Sequence, residues 1–299
     1  MSLFTRMIVG MLPLVPKPIV GFVAKRYVAG VKLENAIDVI RQLDREGACA
    51  TLDILGESVT DRGKAEWFTQ QYIGLFETIK THNLFSTVSV KPTMLGLNID
   101  EGLCRTNLDL IAATAKAQGN TVCIDMEDRT TTDFTLSSYR ELLARYGSVT
   151  TVLQARMHRT LSDIDSLPGD GASVRLCKGI YLEPRSVAWT EYHTIRRAYV
   201  SALEKLLSRG IFTGIATHDE YLVQEAFALL DHYRVPREKY EFQMLLGVDP
   251  GLRRLVIGLG HRLRVYVPFG KEWYAYSTRR LRENPDIGRH VVRAFFGLR

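Results

Sequence analysis

Short apolar runs alternate with longer amphipathic stretches along most of the chain. The short runs are five to seven residues long, which is the usual length of buried strands. The longer stretches carry apolar residues every three or four positions, the spacing of one face of an α-helix. The pattern predicts eight strands, at residues 49–55, 86–91, 122–126, 150–154, 172–177, 213–217, 240–244 and 263–267.

A helical pattern covers residues 32–47, and another follows each strand in turn. Eight strands that alternate with helices predict a (β/α)8 barrel, an α/β fold in which helices surround a closed parallel sheet. We place the barrel at residues 48–299 and treat residues 1–47 as a helical segment that packs on the barrel or faces a membrane. An open doubly wound sheet is the alternative. That fold calls for a glycine-rich phosphate turn after the first strand, where this chain has LGESVTD.

The first thirty residues are apolar and basic and contain no acidic side chain. Pro13, Pro16, Lys17 and Pro18 interrupt the apolar run, so it is too broken for a membrane span. No small-residue cleavage site follows a clean apolar core, which argues against a signal peptide. Two interpretations stay open: a segment that lies on a membrane surface, and a pair of short helices packed on the main domain.

The composition is that of a globular protein, with 46% hydrophobic and 24% charged residues in a chain of 299. The net charge of +6 is spread along the chain, without a basic run interleaved with aromatic residues. We therefore predict no nucleic-acid partner. The four cysteines form no CxxC pair, so we expect buried thiols rather than a zinc site.

Polar side chains stand at or near the end of every predicted strand. In a (β/α)8 barrel these ends form one face, and active sites lie there. Charged residues in core strands are costly unless they are paired or used, so we expect a functional site at this face. In strand order the residues are Asp53 and Glu57, Lys91, Asp125, Glu127 and Asp128, Gln154 and Arg156, Arg175 and Lys178, Thr217, His218 and Asp219, Glu241 and Gln243, and Tyr266.

The stretch VYVPFGKEWYAYSTRRLRENP at residues 265–285 is a second group of candidate binding residues. We predict that the eighth strand turns at residues 268–270 and that the chain continues as a helix. Arg279 and Arg280 are adjacent and about 100° apart on that helix, so both guanidiniums can reach a ligand beneath it. Glu283 is three or four residues away and can brace them. Two guanidiniums suit a small carboxylate, because each presents a planar fork of donors.

Two kinds of chemistry fit the predicted face. Asp125, Glu127 and His218 offer carboxylate and imidazole ligands for a divalent metal ion in a lyase or hydrolase. Several cations at the same face favour an anion instead: a carboxylate, a phosphate, or a flavin, which supplies redox chemistry that side chains lack. A non-catalytic barrel that senses an amino acid or anion is a third interpretation. The cations are Lys91, Arg175, Lys178, Arg279 and Arg280.

The strand-end motifs resemble those of the proline dehydrogenase family, which includes stand-alone bacterial enzymes and the first catalytic domain of bifunctional proline utilisation proteins. The motifs occur in the family's order and cover the chain from about residue 52 to its C-terminus. They are VSVKPT at 88–93, IDMED at 124–128, VLQA at 152–155, VRLCKGIYLEP at 174–184, ATHD at 216–219, EFQMLLGV at 241–248 and YVPFGKEWYAYSTRRLRENP at 266–285.

The resemblance implies a distorted (β/α)8 barrel that binds FAD without a Rossmann domain, with the last helix above the strands as a cap over the substrate. It implies oxidation of L-proline to Δ1-pyrroline-5-carboxylate, the first step of proline degradation to glutamate. A membrane quinone would accept the electrons, so we expect a cytoplasmic protein at the inner face of the membrane. The product would pass to a separate pyrroline-5-carboxylate dehydrogenase, by transient contact.

The resemblance also assigns roles to single residues. Asp125 and Arg175 would be the catalytic residues: Asp125 orients the cations around proline, and Arg175 stabilises the reduced flavin. Glu283 would brace the arginine pair. Position 219 is Asp where Asn is common in the family, so this acid needs a partner. Lys91, Arg279 and Arg280 would bind the carboxylate of proline, Tyr266, Tyr181 and Leu245 would line its pocket, and Met126, Gln154, Arg175, Lys178, Gly179, Ile180, Thr217 and His218 would contact FAD.

Overall fold

In a computed structural model, eight parallel strands pair in sequence order and close into a barrel. The structure describes residues 20–21, 24–169, 171–274 and 276–278. The predicted (β/α)8 barrel is confirmed, because β1 pairs with β2 on one side and with β8 on the other. The strands are β1 (Cys49–Ile54), β2 (Ser86–Val90), β3 (Val122–Ile124), β4 (Val149–Gln154), β5 (Ser173–Cys177), β6 (Phe212–Ala216), β7 (Tyr240–Leu245) and β8 (Leu263–Phe269).

Helices surround the strands, and some of them begin at a residue whose side chain caps the first turn. Asp61 accepts a hydrogen bond from the backbone N–H of Lys64 at 2.7 Å, and Asp100 accepts one from Leu103 at 2.7 Å. Such bonds satisfy N–H groups that lack a partner in the first turn of a helix. The helices are α1 (Leu33–Arg45), α2 (Arg62–Thr81), α3 (Glu101–Ala117), α4 (Thr132–Tyr146), α5 (Thr160–Asp165), α6 (Tyr192–Ser208), α7 (Glu220–His232) and α8 (Pro250–Gly258).

Helix α1 packs on the outside of the barrel against β8 and β1. In a regular (β/α)8 barrel the helix that follows the eighth strand takes this place. Glu46, just after α1, pairs with Arg253 of α8 at 2.7 Å, which joins α1 to the ring of outer helices. The chain after β8 is therefore not needed at this position. The buried face of α1 belongs to the main core and consists of Ala36, Ile37, Ile40 and Leu43.

The predicted turn at residues 268–270 is wrong, because β8 continues through Pro268 to Phe269. Only Gly270, with a φ of 134°, adopts a conformation that favours glycine. Proline has no N–H and is confined to strand positions that do not need one. Pro268 meets this condition, because the pairing of β7 with β8 ends at Tyr266 and β1 is the only described strand that still pairs with β8 at the proline.

The start of the helix after β8 lies at the C-terminal ends of the strands. Residues 273–274 and 276–278 are helical. Tyr276 packs with Val28 and with Leu55, which directly follows β1, in a small apolar cluster. The described part of the N-terminal segment reaches the same face, since the N–H of Ala29 donates to the carbonyl of Pro268 at 2.9 Å.

Three predicted site residues, Arg279, Arg280 and Glu283, lie outside the described residues, so their role stays a prediction. Residues 1–19 of the N-terminal segment also lie outside them. Among the helices that the structure describes, none is long and apolar enough to cross a membrane.

Candidate active site

The C-terminal face of the barrel brings a cluster of polar side chains together around Asp125, which follows β3. Its Oδ1 accepts hydrogen bonds from Arg175 Nη1 at 2.8 Å and from Ser89 Oγ at 2.6 Å. Its Oδ2 accepts one from the hydroxyl of Tyr266 at 2.8 Å. Side chains from β2, β5 and β8 are thus fixed by one carboxylate.

Lys91, which follows β2, is buried beside this cluster. Its Nζ donates to Oδ1 of Asp53 on β1 at 2.6 Å. The same nitrogen lies 3.4 Å from the Tyr266 hydroxyl and 3.8 Å from Oδ2 of Asp125. The side chain of Asp53 is 1% exposed, and its Oδ2 has no hydrogen-bond partner among the described residues. Lys91 is therefore held between two carboxylates.

Burial and these contacts set the charge of each group. Burial opposes the ammonium of Lys91, but the carboxylates of Asp53 and Asp125 outweigh it and raise the pKa of Lys91. Burial also raises the pKa of Asp53, although Lys91 acts in the opposite direction. Burial and then the charge of Asp125 raise the pKa of Tyr266 well above its usual value. At neutral pH, Lys91 is charged and Tyr266 is a neutral donor.

Next to this cluster, the residues at the ends of β4 and β5 fit a flavin. Gln154 is buried, and its Nε2 donates to the carbonyl of Glu127 at 2.8 Å, while its Oε1 has no partner within the described part of the chain. A buried acceptor without a donor is costly, and the N–H of a flavin ring is a donor of the kind it lacks. Gly179 has a φ of 100°, and a Cβ there would lie 2.7 Å from Cδ of Arg156 and 2.9 Å from Oε1 of Gln154. A glycine therefore lets the loop after β5 approach both side chains closely.

Thr217 and His218 follow β6 at the same face. The hydroxyl of Thr217 accepts the N–H of Asp219 at 3.1 Å, which leaves its own proton for another acceptor. Nε2 of His218 accepts the N–H of Leu245 at 2.7 Å, so the proton of the neutral ring is on Nδ1. This bond connects the ring to the end of β7.

Asp219, which precedes α7, accepts four hydrogen bonds from three side chains. Arg196 donates through Nη2 at 2.6 Å and through Nε at 2.9 Å. Tyr192 donates its hydroxyl at 2.9 Å, and Lys178 donates at 3.1 Å. Burial works against the charge, but these bonds hold the pKa of Asp219 well below its usual value. The acid that was expected to need a partner has three, and it fixes Lys178, one of the residues predicted to contact FAD.

We expect Asp219→Asn to lower the free energy of unfolding at pH 7 by about 1–2 kcal/mol, because it removes the charge from the bonds to Arg196 and Lys178, both partly exposed. Asp219 has a lower pKa in the folded than in the unfolded state, where the pKa is about 3.9. Its charge therefore contributes its full stabilisation at pH values above about 3.9, and this contribution is lost as the pH falls below that value. Urea unfolding should therefore give the same difference between the two proteins at pH 7 and pH 5 and a smaller one below about pH 4. A difference that does not change with pH would contradict the electrostatic explanation.

The geometry does not support the metal site proposed for Asp125, Glu127 and His218. Glu127 accepts the N–H of Thr93 at 2.9 Å and its hydroxyl at 2.6 Å, whereas Asp125 faces Arg175. His218 is bound to the backbone at the end of β7. In the part of the chain that the structure describes, no group of three or more His, Cys, Asp or Glu side chains is arranged to hold a metal ion.

The other predicted contacts lie on the loops around this face. Met126 is buried directly after Asp125. Ile180 is 36% exposed on the loop after β5, and the carbonyl of the neighbouring Tyr181 accepts a hydrogen bond from Arg156 Nη1 at 2.9 Å. The roles assigned to Met126, Ile180 and Tyr181 stay predictions.

Two members of the cluster received no role from the sequence, Asp53 and Ser89. They lie opposite each other in the pairing of β1 with β2. Alternate residues of a strand point to the same face, and Ser89 is two positions before Lys91. A serine two positions before the charged residue that follows the strand was the signal that could have identified it.

Comparison with known proteins agrees with this geometry. The chain matches the family model described as Proline dehydrogenase over residues 36–293. It is 36% identical to Proline dehydrogenase of Deinococcus radiodurans over 274 residues. This alignment covers 90% of this chain and 88% of that protein. It is 35% identical over 270 residues to Proline dehydrogenase 1 of Bacillus subtilis, which covers 90% and 89%.

Solved structures of proline utilization A share the fold. The protein from Bdellovibrio bacteriovorus has a TM-score of 0.82 at 23% identity, over 88% of this chain and 32% of that chain. A mutant of the Bradyrhizobium japonicum protein has a TM-score of 0.71 at 22% identity, over 86% and 30%. The chain thus spans about a third of the length of these larger proteins. Because the family model matches most of the chain and the curated relatives align over nearly their whole length, this chain belongs to the proline dehydrogenase family.

Proposed function

We propose that the protein is an FAD-dependent proline dehydrogenase that oxidises L-proline to Δ1-pyrroline-5-carboxylate and passes the electrons to a membrane quinone. Dehydrogenation of proline, the first step of proline catabolism, is the activity of the family to which the chain belongs. The observation that carries the proposal is the convergence of Lys91, Arg175 and Tyr266 on Asp125. Such a cluster provides fixed cations and a neutral donor at the face where barrel enzymes bind their substrates.

Lys91 supports binding of the carboxylate of proline. Its ammonium is charged and buried; Asp53 accepts one of its three N–H donors at 2.6 Å and the hydroxyl of Tyr266 accepts a second at 3.4 Å, so a third can bind a substrate carboxylate. In the proposal, Arg279 and Arg280 add two guanidiniums above the substrate, and Glu283 braces them. Charge-assisted bonds of this kind are about twice as strong as neutral ones.

Asp125 acts as an orienting anion. Its Oδ1 already accepts from Arg175 and Ser89, and its Oδ2 accepts from Tyr266. One carboxylate thus fixes both Arg175, the positive charge beside the proposed cofactor, and Tyr266, a wall of the proposed substrate pocket. The distance between these two side chains is therefore constant. Precise placement of reacting groups accounts for much of the rate of such reactions.

The residues at the ends of β3 to β6 support FAD binding. When it is bound, FAD supplies the acceptor for the hydride that leaves the carbon next to the nitrogen of proline. Arg175 brings a buried positive charge that favours the electron-rich reduced cofactor. In the proposal, Tyr266, Tyr181 and Leu245 would line the side of the pocket that the proline ring occupies. The proposed cofactor contacts are Met126, Gln154, Arg175, Lys178, Gly179, Ile180, Thr217 and His218.

The visible absorption spectrum of the purified protein, recorded before and after anaerobic addition of L-proline, tests this function. We expect a flavin spectrum that bleaches with L-proline and does not bleach with D-proline, whose carboxylate is placed on the opposite side of the ring. A flavin spectrum that L-proline does not bleach would contradict the proposed substrate. A colourless protein that does not take up FAD would contradict the proposed cofactor.

We further propose that the protein works at a membrane surface, as a quinone acceptor requires. The first thirty residues are apolar and basic without an acidic side chain, a composition that suits an anionic surface. The product would then pass to a separate pyrroline-5-carboxylate dehydrogenase, by transient contact. Repeating the spectroscopic experiment with vesicles that contain a quinone tests the acceptor, because the bleached flavin should regain its colour. Failure to do so would contradict it.

A further inference from the structure

A continuous chain of hydrogen bonds runs through the interior of the barrel beneath the proposed active site. Nε of Arg175 donates to Oε1 of Gln243 at 2.6 Å, and Nε2 of Gln243 donates to Oε1 of Glu241 at 2.7 Å. Arg264 donates to both oxygens of Glu241, at 2.6 and 3.0 Å. We call these four residues the interior network. Barrel interiors are usually filled by branched apolar side chains, and buried charges are costly, so this network calls for an explanation.

Gln243 is the one neutral member of the interior network, and its two partners call for a neutral group that both accepts and donates a hydrogen bond. A guanidinium can only donate, so Arg175 needs an acceptor. An ionised carboxylate can only accept, so Glu241 needs a donor. A carboxylate at position 243 would repel Glu241, and a cation there would repel Arg175. The glutamine thus joins the two charges without adding one of its own.

The neighbouring strand β6 leaves space for this amide. Gly214 lies opposite Arg175 in the pairing of β5 with β6, and opposite Glu241 in the pairing of β6 with β7. A Cβ at Gly214 would collide with the amide nitrogen of Gln243 and would lie 2.9 Å from its Cδ. The glycine on β6 is therefore matched to the glutamine on β7. An incidental polar contact in the core would not require such a match.

The interior network is anchored at its far end. Nη1 of Arg264 donates to the carbonyl of Ala50 on β1 at 2.7 Å. Arg264 neutralises the negative charge of Glu241. The pair therefore has no net charge and does not offset the positive charge of Arg175. Asp125 holds the other side of the Arg175 guanidinium. Arg175 is thus fixed by a neutral partner on one side and by an anion on the other.

We propose that Gln243 is a positioning residue that sets the reduction potential of the cofactor through Arg175. This inference rests on the proposed FAD-dependent function. The neutral amide fixes the guanidinium and leaves its positive charge to favour the electron-rich reduced state. Glu241 and Gly214 in turn hold the amide in its orientation.

The experiment is a redox titration of the FAD-loaded protein carrying Gln243→Glu or Gln243→Met. With Gln243→Glu at alkaline pH, an added anion should lower the equilibrium constant of two-electron reduction about tenfold, or about 30 mV. As the pH falls, the introduced carboxyl becomes protonated. It then donates to Glu241 and accepts from Arg175 as the amide does, so the difference from the native protein should disappear.

Gln243→Met keeps the length of the side chain and removes both hydrogen bonds. We expect the rate of flavin reduction by proline to fall about tenfold, because Arg175 loses a fixing contact, while KM for proline changes much less. Gln71→Glu on α2 is the matched control: the residue is exposed, and the same change of charge should leave the potential unaltered.

The outcomes separate this inference from the proposed function. If both Gln243 variants bind FAD, are reduced by proline and keep the native potential and rate, the inference is wrong and the proposed function stands. If Gln243→Glu does not fold, a native potential and rate in Gln243→Met alone would still contradict it. If the native protein takes up no FAD, the inference and the proposed function both fail.

Discussion

Replacing Asp125 with asparagine is expected to lower kcat/KM for L-proline by roughly a hundredfold to a thousandfold, the usual effect of removing one preorganised electrostatic group. Asparagine has nearly the same shape but carries no charge. Arg175 would then lose its carboxylate partner, Lys91 would keep only the carboxylate of Asp53, and the hydroxyl of Tyr266 would lose its carboxylate acceptor. Steady-state kinetics with L-proline measures the effect, together with FAD content and melting temperature to show that the variant is folded.

Asp128→Asn is the matched control for this substitution. Asp128 is half-buried in the same loop after β3, but its carboxylate binds the backbone N–H of Thr130 at 2.8 Å and the hydroxyl of the same residue. We expect Asp128→Asn to change kcat/KM by less than about threefold, because the amide oxygen of asparagine can accept the same bonds. If Asp125→Asn also kept kcat/KM within that range, the orienting role of Asp125 would be wrong.

Replacing Lys91 with methionine is expected to have two separable effects. It removes a cation from the proposed carboxylate site, so KM for proline should rise by at least about a hundredfold. It also leaves Asp53 buried without its cation, which should lower the free energy of unfolding by about 3–5 kcal/mol. Proline titration and urea unfolding of the same variant measure the two effects.

A second substitution distinguishes binding from folding. In the double variant Lys91→Met with Asp53→Asn, no uncompensated charge is buried, so most of the lost stability should return. KM for proline should nevertheless stay high, because the ammonium is still absent. A double variant that binds proline as the native protein does would show that Lys91 does not hold the substrate carboxylate.

Part of this architecture was predictable from local patterns. Strand and helix periods are properties of neighbouring residues, and each predicted strand overlaps an observed one with ends that differ by at most two residues. The polar ends of the strands also followed from the pattern, because a barrel places all of these ends on one face. Lys91 and Asp125 were therefore expected at the same site before their contacts were known.

Other features were missed because they depend on distant parts of the chain. The turn predicted at Pro268 failed, since the proline is accepted only where β7 has stopped pairing with β8. Asp53 was noted as a polar strand residue, but its pairing with Lys91 across β1 and β2 could not be inferred from either segment. Nothing local to α1 indicates that it packs against β8 and β1, where the helix after β8 is usually found.

The sequence by itself determined the order of strands and helices, the barrel fold and most of the polar residues at its C-terminal face; Glu241, expected there too, is the second residue of β7 and lies in the barrel interior. Only the tertiary structure decided which donor meets which acceptor within that set. Tyr266 and Asp125 are 141 positions apart, and Arg175 and Gln243 are 68 apart. A buried charge needs a partner, but the chain offers several of each sign. The choice among them is made by the stagger of the strands when the barrel closes.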